Sequence, residues 1–121
     1  MFCDRKEKEY PPLDIVAGDD YTYRVNFKDP EEPEESIFTD GDTIQMTFGF
    51  TKTEVTITGE IQDNTGIFYL STQDTTALDA LNEPYLRYNV HILWADGGRD
   101  TPICNGLVRM KRCYHAEPEN D

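Results

Sequence analysis

Between Tyr21 and Phe27 the chain alternates without a break: Tyr21, Tyr23, Val25 and Phe27 on one side, Thr22, Arg24 and Asn26 on the other. Successive side chains of a strand point to opposite faces, so this stretch can bury one face and wet the other. The same period returns in Ile44, Met46, Phe48 and Phe50, in Val55 and Ile57, and in Leu86, Tyr88, Val90, Ile92 and Trp94. A chain written this way builds a small antiparallel β domain. The strands consume nearly all the apolar residues, and what is left over holds no catalytic constellation.

With 121 residues the chain suits one domain with a single core, large enough to stand without metal or disulfide staples. Aromatic residues make up 12% of it, a generous supply for a thin sandwich, since each ring buries much apolar area. Charge is lopsided: 11 basic against 24 acidic residues leave −13. Nucleic-acid backbones and anionic membranes are bound through Lys and Arg, so direct contact with either is not expected. Cys3, Cys104 and Cys113 are odd in number and lack CxxC spacing. Small secreted scaffolds carry even, dense sets, so the expectation is a reducing compartment with buried or idle thiols, Cys104–Cys113 pairing being the alternative. The charged opening from Met1 to Glu9 has no apolar core of a signal peptide. No apolar run approaches membrane-spanning length. A soluble chain, not exported by the usual route, is expected.

Residues 1–12 read as a polar tail, 13–112 as one β-sandwich domain, and 113–121 as an acidic tail. Leu13–Val16 is a short first strand, and Ala17–Asp20 turns the chain into the Tyr21–Phe27 strand. The prolines and like charges from Lys28 to Glu35 forbid a packed element, so that stretch reads as a solvated loop. Ser36–Phe38 reads as a brief edge segment. Thr43–Phe50 and Glu54–Ile61 read as a hairpin through Thr51–Thr53, and Asp63–Gly66 as a turn into Ile67–Leu70. Ser71 or Thr72 can cap a helical turn carrying Leu78 and Leu81 on one face, closed before Pro84, which would plug one end of the sandwich. Tyr85–Trp94 and Thr101–Lys111 form a long hairpin, with Gly97-Gly98 supplying the positive φ of its loop. Asn105-Gly106 predicts a bulge in the last strand. The fold class is all-β: an immunoglobulin-like antiparallel β-sandwich of about seven strands with one short helical turn, or a related barrel. The Cys…Trp…Cys pattern of true immunoglobulin domains is missing.

Chemistry needs a nucleophile with its base, paired carboxylates, a metal cluster or a phosphate cradle. His91 alternates with Val90 and Ile92, which puts it on the outer face of its strand as a surface or half-buried histidine, and His115 lies in the tail. Cys104, Cys113 and His115 fall short of the four ligands of a structural zinc site. Asp19-Asp20 and Asp40-Gly41-Asp42 lack the spacing of a calcium loop and are better explained as turn residues. The phosphate-binding, serine-hydrolase and zinc-protease motifs are absent. No enzyme, no cofactor and no metal are expected.

What remains is the acid itself. Asp29, Glu31, Glu32, Glu34 and Glu35 form the candidate partner-binding segment. The plain explanation is a solubilising loop. The sharper one is a mimic of the phosphate backbone that inhibits a host nuclease or another DNA-binding protein, which requires carboxylates held in rows on rigid elements. A third reading, sugar stacking on exposed rings, has Tyr10, Tyr69 and Tyr114 as its candidates.

The order of motifs resembles the N-terminal β-sandwich module of phage baseplate upper proteins and related phage tail proteins. Gly18-Asp19-Asp20-Tyr21 opens a strand that ends in Phe27-Lys28-Asp29, and Gly41-Asp42-Thr43-Ile44 begins the next long one. Gly66, Phe68, Leu70, Ser71, Asp74 and Thr75 follow, with Leu78 shortly after, and Tyr85–Val90 enters the closing hairpin. The resemblance covers roughly residues 13 to 112. It implies a phage or prophage structural or adaptor protein acting through protein partners, other tail components or further copies of itself, in a virion or a host cytoplasm. Against that pattern, the 121 residues do not include the downstream helical or receptor-binding regions usual in such chains, and the Asp29–Glu35 loop is extra.

Overall fold

The computed structural model describes residues 12–27 and 35–111. Their elements in chain order are β1 (Leu13–Val16), β2 (Tyr21–Asn26), β3 (Thr43–Gly49), β4 (Thr53–Thr58), β5 (Glu60–Gln62), β6 (Thr65–Leu70), α1 (Thr72–Ala80), β7 (Arg87–Leu93) and β8 (Arg99–Lys111). The strands form two sheets, a five-stranded one ordered β1-β8-β7-β3-β4 and a three-stranded one ordered β2-β6-β5. The protein is all-β apart from its one helix among the described residues.

Alternation places the core as the sequence implies. Ile44, Met46 and Phe48 of β3 and Tyr88, Val90 and Ile92 of β7 turn inward and are buried, meeting Phe68 and Leu70 of β6. Burying each such side chain stabilises the fold by about 1.5–3 kcal/mol. Tyr23 of β2 crosses the Tyr88 ring edge-on, with centroids 5.8 Å apart and an interplanar angle of 82°, a geometry that suits the aromatic quadrupole.

Several expectations need correction. The strand predicted over Glu54–Ile61 breaks at Gly59: β4 stays beside β3, while β5 has crossed to the second sheet. A Cβ on Gly59 would lie 2.7 Å from the Phe68 ring and 2.9 Å from Ile44 Cδ1, so only glycine lets the chain turn that corner. With the split, the described residues hold eight strands where about seven were expected. β1 runs parallel to β8, Leu13 facing Val108 and Val16 facing Lys111, so the sheets are not wholly antiparallel. Ser36–Phe38 is not a strand. Phe38 instead fills the end of the core, its ring 5.6 Å from Phe27 and 5.9 Å from Trp94.

α1 is longer than one turn, with nine residues. Ser71 caps it reciprocally: the Asp74 N–H donates to Ser71 Oγ at 3.2 Å and the Ser71 N–H to Asp74 Oδ2 at 2.8 Å, a capping box with aspartate as the third residue. Inside the first turn, Thr75 is fully buried. Its hydroxyl accepts from the Gly18 N–H at 3.0 Å and donates to the Asp19 carbonyl at 2.9 Å, tying the helix to the β1–β2 turn. The bulge foreseen at Asn105 is present: its φ is +65° and the β7–β8 register shifts there.

Candidate functional site

Of the acidic segment, Asp29, Glu31, Glu32 and Glu34 lie outside the described residues. Glu35 is exposed, and its carbonyl accepts from Asn64 Nδ2 at 2.7 Å. The same buried asparagine accepts from the Ile37 N–H through Oδ1 at 3.0 Å. Asn64 thus pins the downstream end of the acidic stretch to the β5–β6 turn, but Glu35 alone makes no row of carboxylates.

His91 does sit on the outer face of its strand, yet it is buried, 6% exposed, rather than at the surface. Thr47 Oγ1 lies 3.0 Å from Nε2 and Thr101 Oγ1 3.0 Å from Nδ1. Arg99 places a guanidinium nitrogen 3.1 Å from Nδ1 and 3.4 Å from Nε2. Burial, and then the Arg99 charge, hold the imidazole below its ordinary pKa. A histidine saturated by two hydroxyls beside a guanidinium is a structural knot in the sheet, with no free nitrogen turned toward a cleft.

Of the turn aspartates singled out in the sequence, Asp42 holds backbone with its side chain, as expected of its type. Asp42 accepts from the Thr39 N–H at 2.7 Å through Oδ2 and from the Ala95 N–H at 2.7 Å through Oδ1, and these bonds lower its pKa. Among the described residues no three His, Cys, Asp or Glu side chains gather as a metal site, and no helix is long and apolar enough to cross a membrane. Cys104, expected as an idle or buried thiol, is disulfide-bonded. Cys113, His115, Tyr10 and Tyr114 lie outside the described residues.

The unexpected feature is at the end of the large sheet where β3 turns into β4. Phe50, expected in the core alongside Phe48, is 53% exposed, and Tyr85, assigned to a strand, is 60% exposed. Their rings stand 6.5 Å apart with a 36° tilt. The backbone explains Phe50. The β3–β4 register shifts between Phe48 and Gly49, and a Cβ at Gly49 would fall 1.8 Å from the Lys52 carbonyl oxygen. So tight a turn ejects the residue after Gly49 from the alternation. Tyr85 follows Pro84 and precedes the start of β7, where no cross-strand neighbour draws it inward.

Together the two rings form a ridge between two depressions. On the Tyr85 side lies an open groove of about 810 Å³ whose apolar lining includes Leu78, Pro84, Leu107 and Met110. On the Phe50 side a smaller, polar hollow of about 170 Å³ is lined by Lys52, Arg87, Asn89 and Asn105 among others. Its floor is held in place: the Asn105 N–H donates to Asn89 Oδ1 at 2.8 Å, and Arg87 Nη1 reaches the Asn105 carbonyl at 3.4 Å. Tyr69, on β6 of the other sheet, is 48% exposed and stands apart from this ridge. The surface can bury aromatic and aliphatic area against a partner while offering amide and guanidinium groups at its rim. Compared with known proteins, the chain matches no family model and no curated protein.

Proposed function

We propose that this chain is a non-enzymatic structural or adaptor module of the phage tail or baseplate type, working through protein–protein contacts at the Phe50–Tyr85 ridge. The ridge is the observation that carries the reading. Protein interfaces concentrate their energy in a few aromatic and arginine anchors set among pockets and bordered by polar groups. Phe50, Tyr85 and Arg87 between an apolar and a polar depression have that composition. The phage assignment is supported by the motif order from Gly18 to Val90.

The fold belongs to the same proposal. Lettered A to G in chain order with β4 as C′, the sheets become A-G-F-C-C′ and B-E-D. That division is immunoglobulin-like, with the first strand joined to the sheet of the last. The E–F connection then carries α1, an addition to the plain sandwich. In this reading the ridge lies at the C–C′ turn and the start of strand F.

A photo-crosslinking residue at position 50, in particles or lysate of the phage that encodes the chain, tests the proposal together with light scattering of the purified protein. Crosslinks to a virion structural component or to a second copy, lost in Phe50→Ser/Tyr85→Ser, are the expected result. A strict monomer that crosslinks to no virion component would sink it.

A further inference from the structure

We infer that β4 pairs edge to edge with β4 of a second copy of the chain, antiparallel and centred on Thr56, so that two five-stranded sheets join into one. The Gly59 N–H donates to the Ile44 carbonyl at 3.0 Å, and the β3–β4 register runs from Gln45 opposite Thr58 to Phe48 opposite Val55. In an antiparallel pair, opposed residues alternate between exchanging both hydrogen bonds and exchanging none. Val55 and Ile57 therefore bond to β3, as Gly59 does, while the N–H and C=O of Thr56 and Thr58 point away from it. The Glu54 carbonyl shares a planar peptide unit with the Val55 N–H and so points away as well. β4 ends its sheet, and among the described residues nothing bonds these outward groups.

Such an edge accepts another strand, and proteins usually guard it with charge, proline or brevity. β4, Thr-Glu-Val-Thr-Ile-Thr, has one charge and no proline in six residues, and its Glu54, Thr56 and Thr58 are exposed. The other sheet ends are better guarded. β1 is four residues long with an aspartate, and β5 is three with a glutamate. β2 carries Arg24 at its middle, where two-fold pairing would set guanidinium against guanidinium.

A chain of net charge −13 repels its own copy over most of its surface, so a contact between copies has to avoid opposed carboxylates. A two-fold axis through Thr56 does so. It sets Glu54 against Thr58 of the second copy, whose hydroxyl can donate to the carboxylate, and Thr56 against Thr56. Val55 meets Ile57 on the inner face, and Lys52 Nζ, 3.9 Å from Glu54 Oε2, offsets the one charge. Moving the axis to Ile57 would instead oppose Glu54 and Glu60. Centred on Thr56, the edges exchange about four hydrogen bonds, two between the Thr56 residues and one from each Thr58 N–H to the opposite Glu54 carbonyl. The edge is a second surface, distinct from the Phe50–Tyr85 ridge on which the proposed function rests.

Sedimentation and amide exchange by NMR, on the full-length protein in a dilution series reaching millimolar, test the pairing. A concentration-dependent dimer is expected. In it the Thr56 and Thr58 amides exchange fast when dilute and slowly when concentrated, while those of Val55 and Ile57 stay protected throughout. Thr56→Lys, which opposes two like charges on the solvent face, should weaken the dimer by at least about tenfold. Phe50→Ser/Tyr85→Ser should leave it intact. A monomer at every concentration, or a dimer whose Thr56 and Thr58 amides keep the dilute rate, would overturn the inference. A dimer lost with the two rings and kept in Thr56→Lys would overturn it too, while leaving the ridge and the proposed function standing. Because the exchange pattern is read on the unsubstituted protein, it decides the pairing even where Thr56→Lys fails to fold.

Discussion

Gly106→Ala isolates the tightest packing constraint in the sheet. Gly106 faces Tyr88 across the β7–β8 ladder. A Cβ placed there would lie 2.2 Å from Tyr88 Cε1, 2.5 Å from Cζ and 2.8 Å from Cδ1. Ordinary carbon contacts are about 3.5–4.0 Å, so the ring must retreat by more than about 1 Å. It has nowhere to go. Tyr88 is 0% exposed, packs edge-on against Tyr23, and holds its hydroxyl 3.5 Å from that of Tyr23. Gly106 is not among the positive-φ positions, so no backbone strain enters, and alanine would even recover about 0.4–1 kcal/mol by restricting the unfolded chain. Overpacking of a buried site costs about 1–3 kcal/mol, and a methyl driven into a trapped ring belongs at the upper end, leaving a net loss of about 2 kcal/mol. For a domain of this size that lowers Tm by roughly 8 °C. Urea unfolding followed by tyrosine and tryptophan fluorescence measures it, with an unchanged m-value showing that stability alone has moved. A change within about 0.5 kcal/mol would mean that the β7–β8 contact is looser than the geometry says, and the account of the core at this end would fail.

Three further outcomes follow from the polar interior. Thr75→Val keeps the shape but strands the Gly18 N–H and Asp19 carbonyl that the hydroxyl joins; a loss of about 1–3 kcal/mol in urea titration is expected. Asn64→Ala should speed hydrogen exchange at the Ile37 amide, which that side chain holds, while leaving the amides of β7 protected. His91 has a folded pKa lowered from 6.5, so the unfolded chain takes up the proton first. The stability it contributes is complete above about pH 6.5 and declines as pH falls from there toward the folded value. Asp42, with its pKa lowered from 3.8, acts in a separate, more acidic window below that value. Stability measured against pH should therefore fall in two stages, and His91→Gln should remove the upper stage alone.

Strand identity was legible because period two is a direct record of which side chains face inward. The inward residues of β2, β3, β4 and β7 could be read off without coordinates, with Phe50 as the exception. What could not be read is how strands change sheets. Gly59 looks like a residue inside one strand, and only the nearness of Phe68 and Ile44 to an imagined Cβ shows it to be a corner. The parallel pairing of β1 with β8 is equally silent in the sequence, since Leu13 and Ile15 need a buried face and do not record the direction of their neighbour. The bulge at Asn105 was legible because an Asn-Gly pair inside a strand marks a position open to left-handed backbone.

The ridge was hidden by the rule that revealed the core. Phe50 continues the run Ile44, Met46, Phe48 at the proper spacing, and alternation alone assigns it inward. The signal that could have found it is Gly49: glycine between two phenylalanines at the end of a strand, followed by Thr-Lys-Thr, marks a turn that starts one residue early. An aromatic carried past that turn has lost its burial, which would otherwise stabilise the fold by about 1.5–3 kcal/mol. Folding alone gives no reason to keep two large rings exposed side by side when serine or lysine would serve the turn as well. A partner surface that covers them would recover the lost burial, and this is the physical reason for proposing Phe50 and Tyr85, rather than the acidic segment, as the contact surface. Replacing both rings by serine should accordingly leave the stability of the isolated protein within about 0.5 kcal/mol of the original while removing assembly. If instead the double substitution destabilised the fold as a core truncation does, by about 3–5 kcal/mol for a phenylalanine, the rings would be structural and the ridge would lose its role.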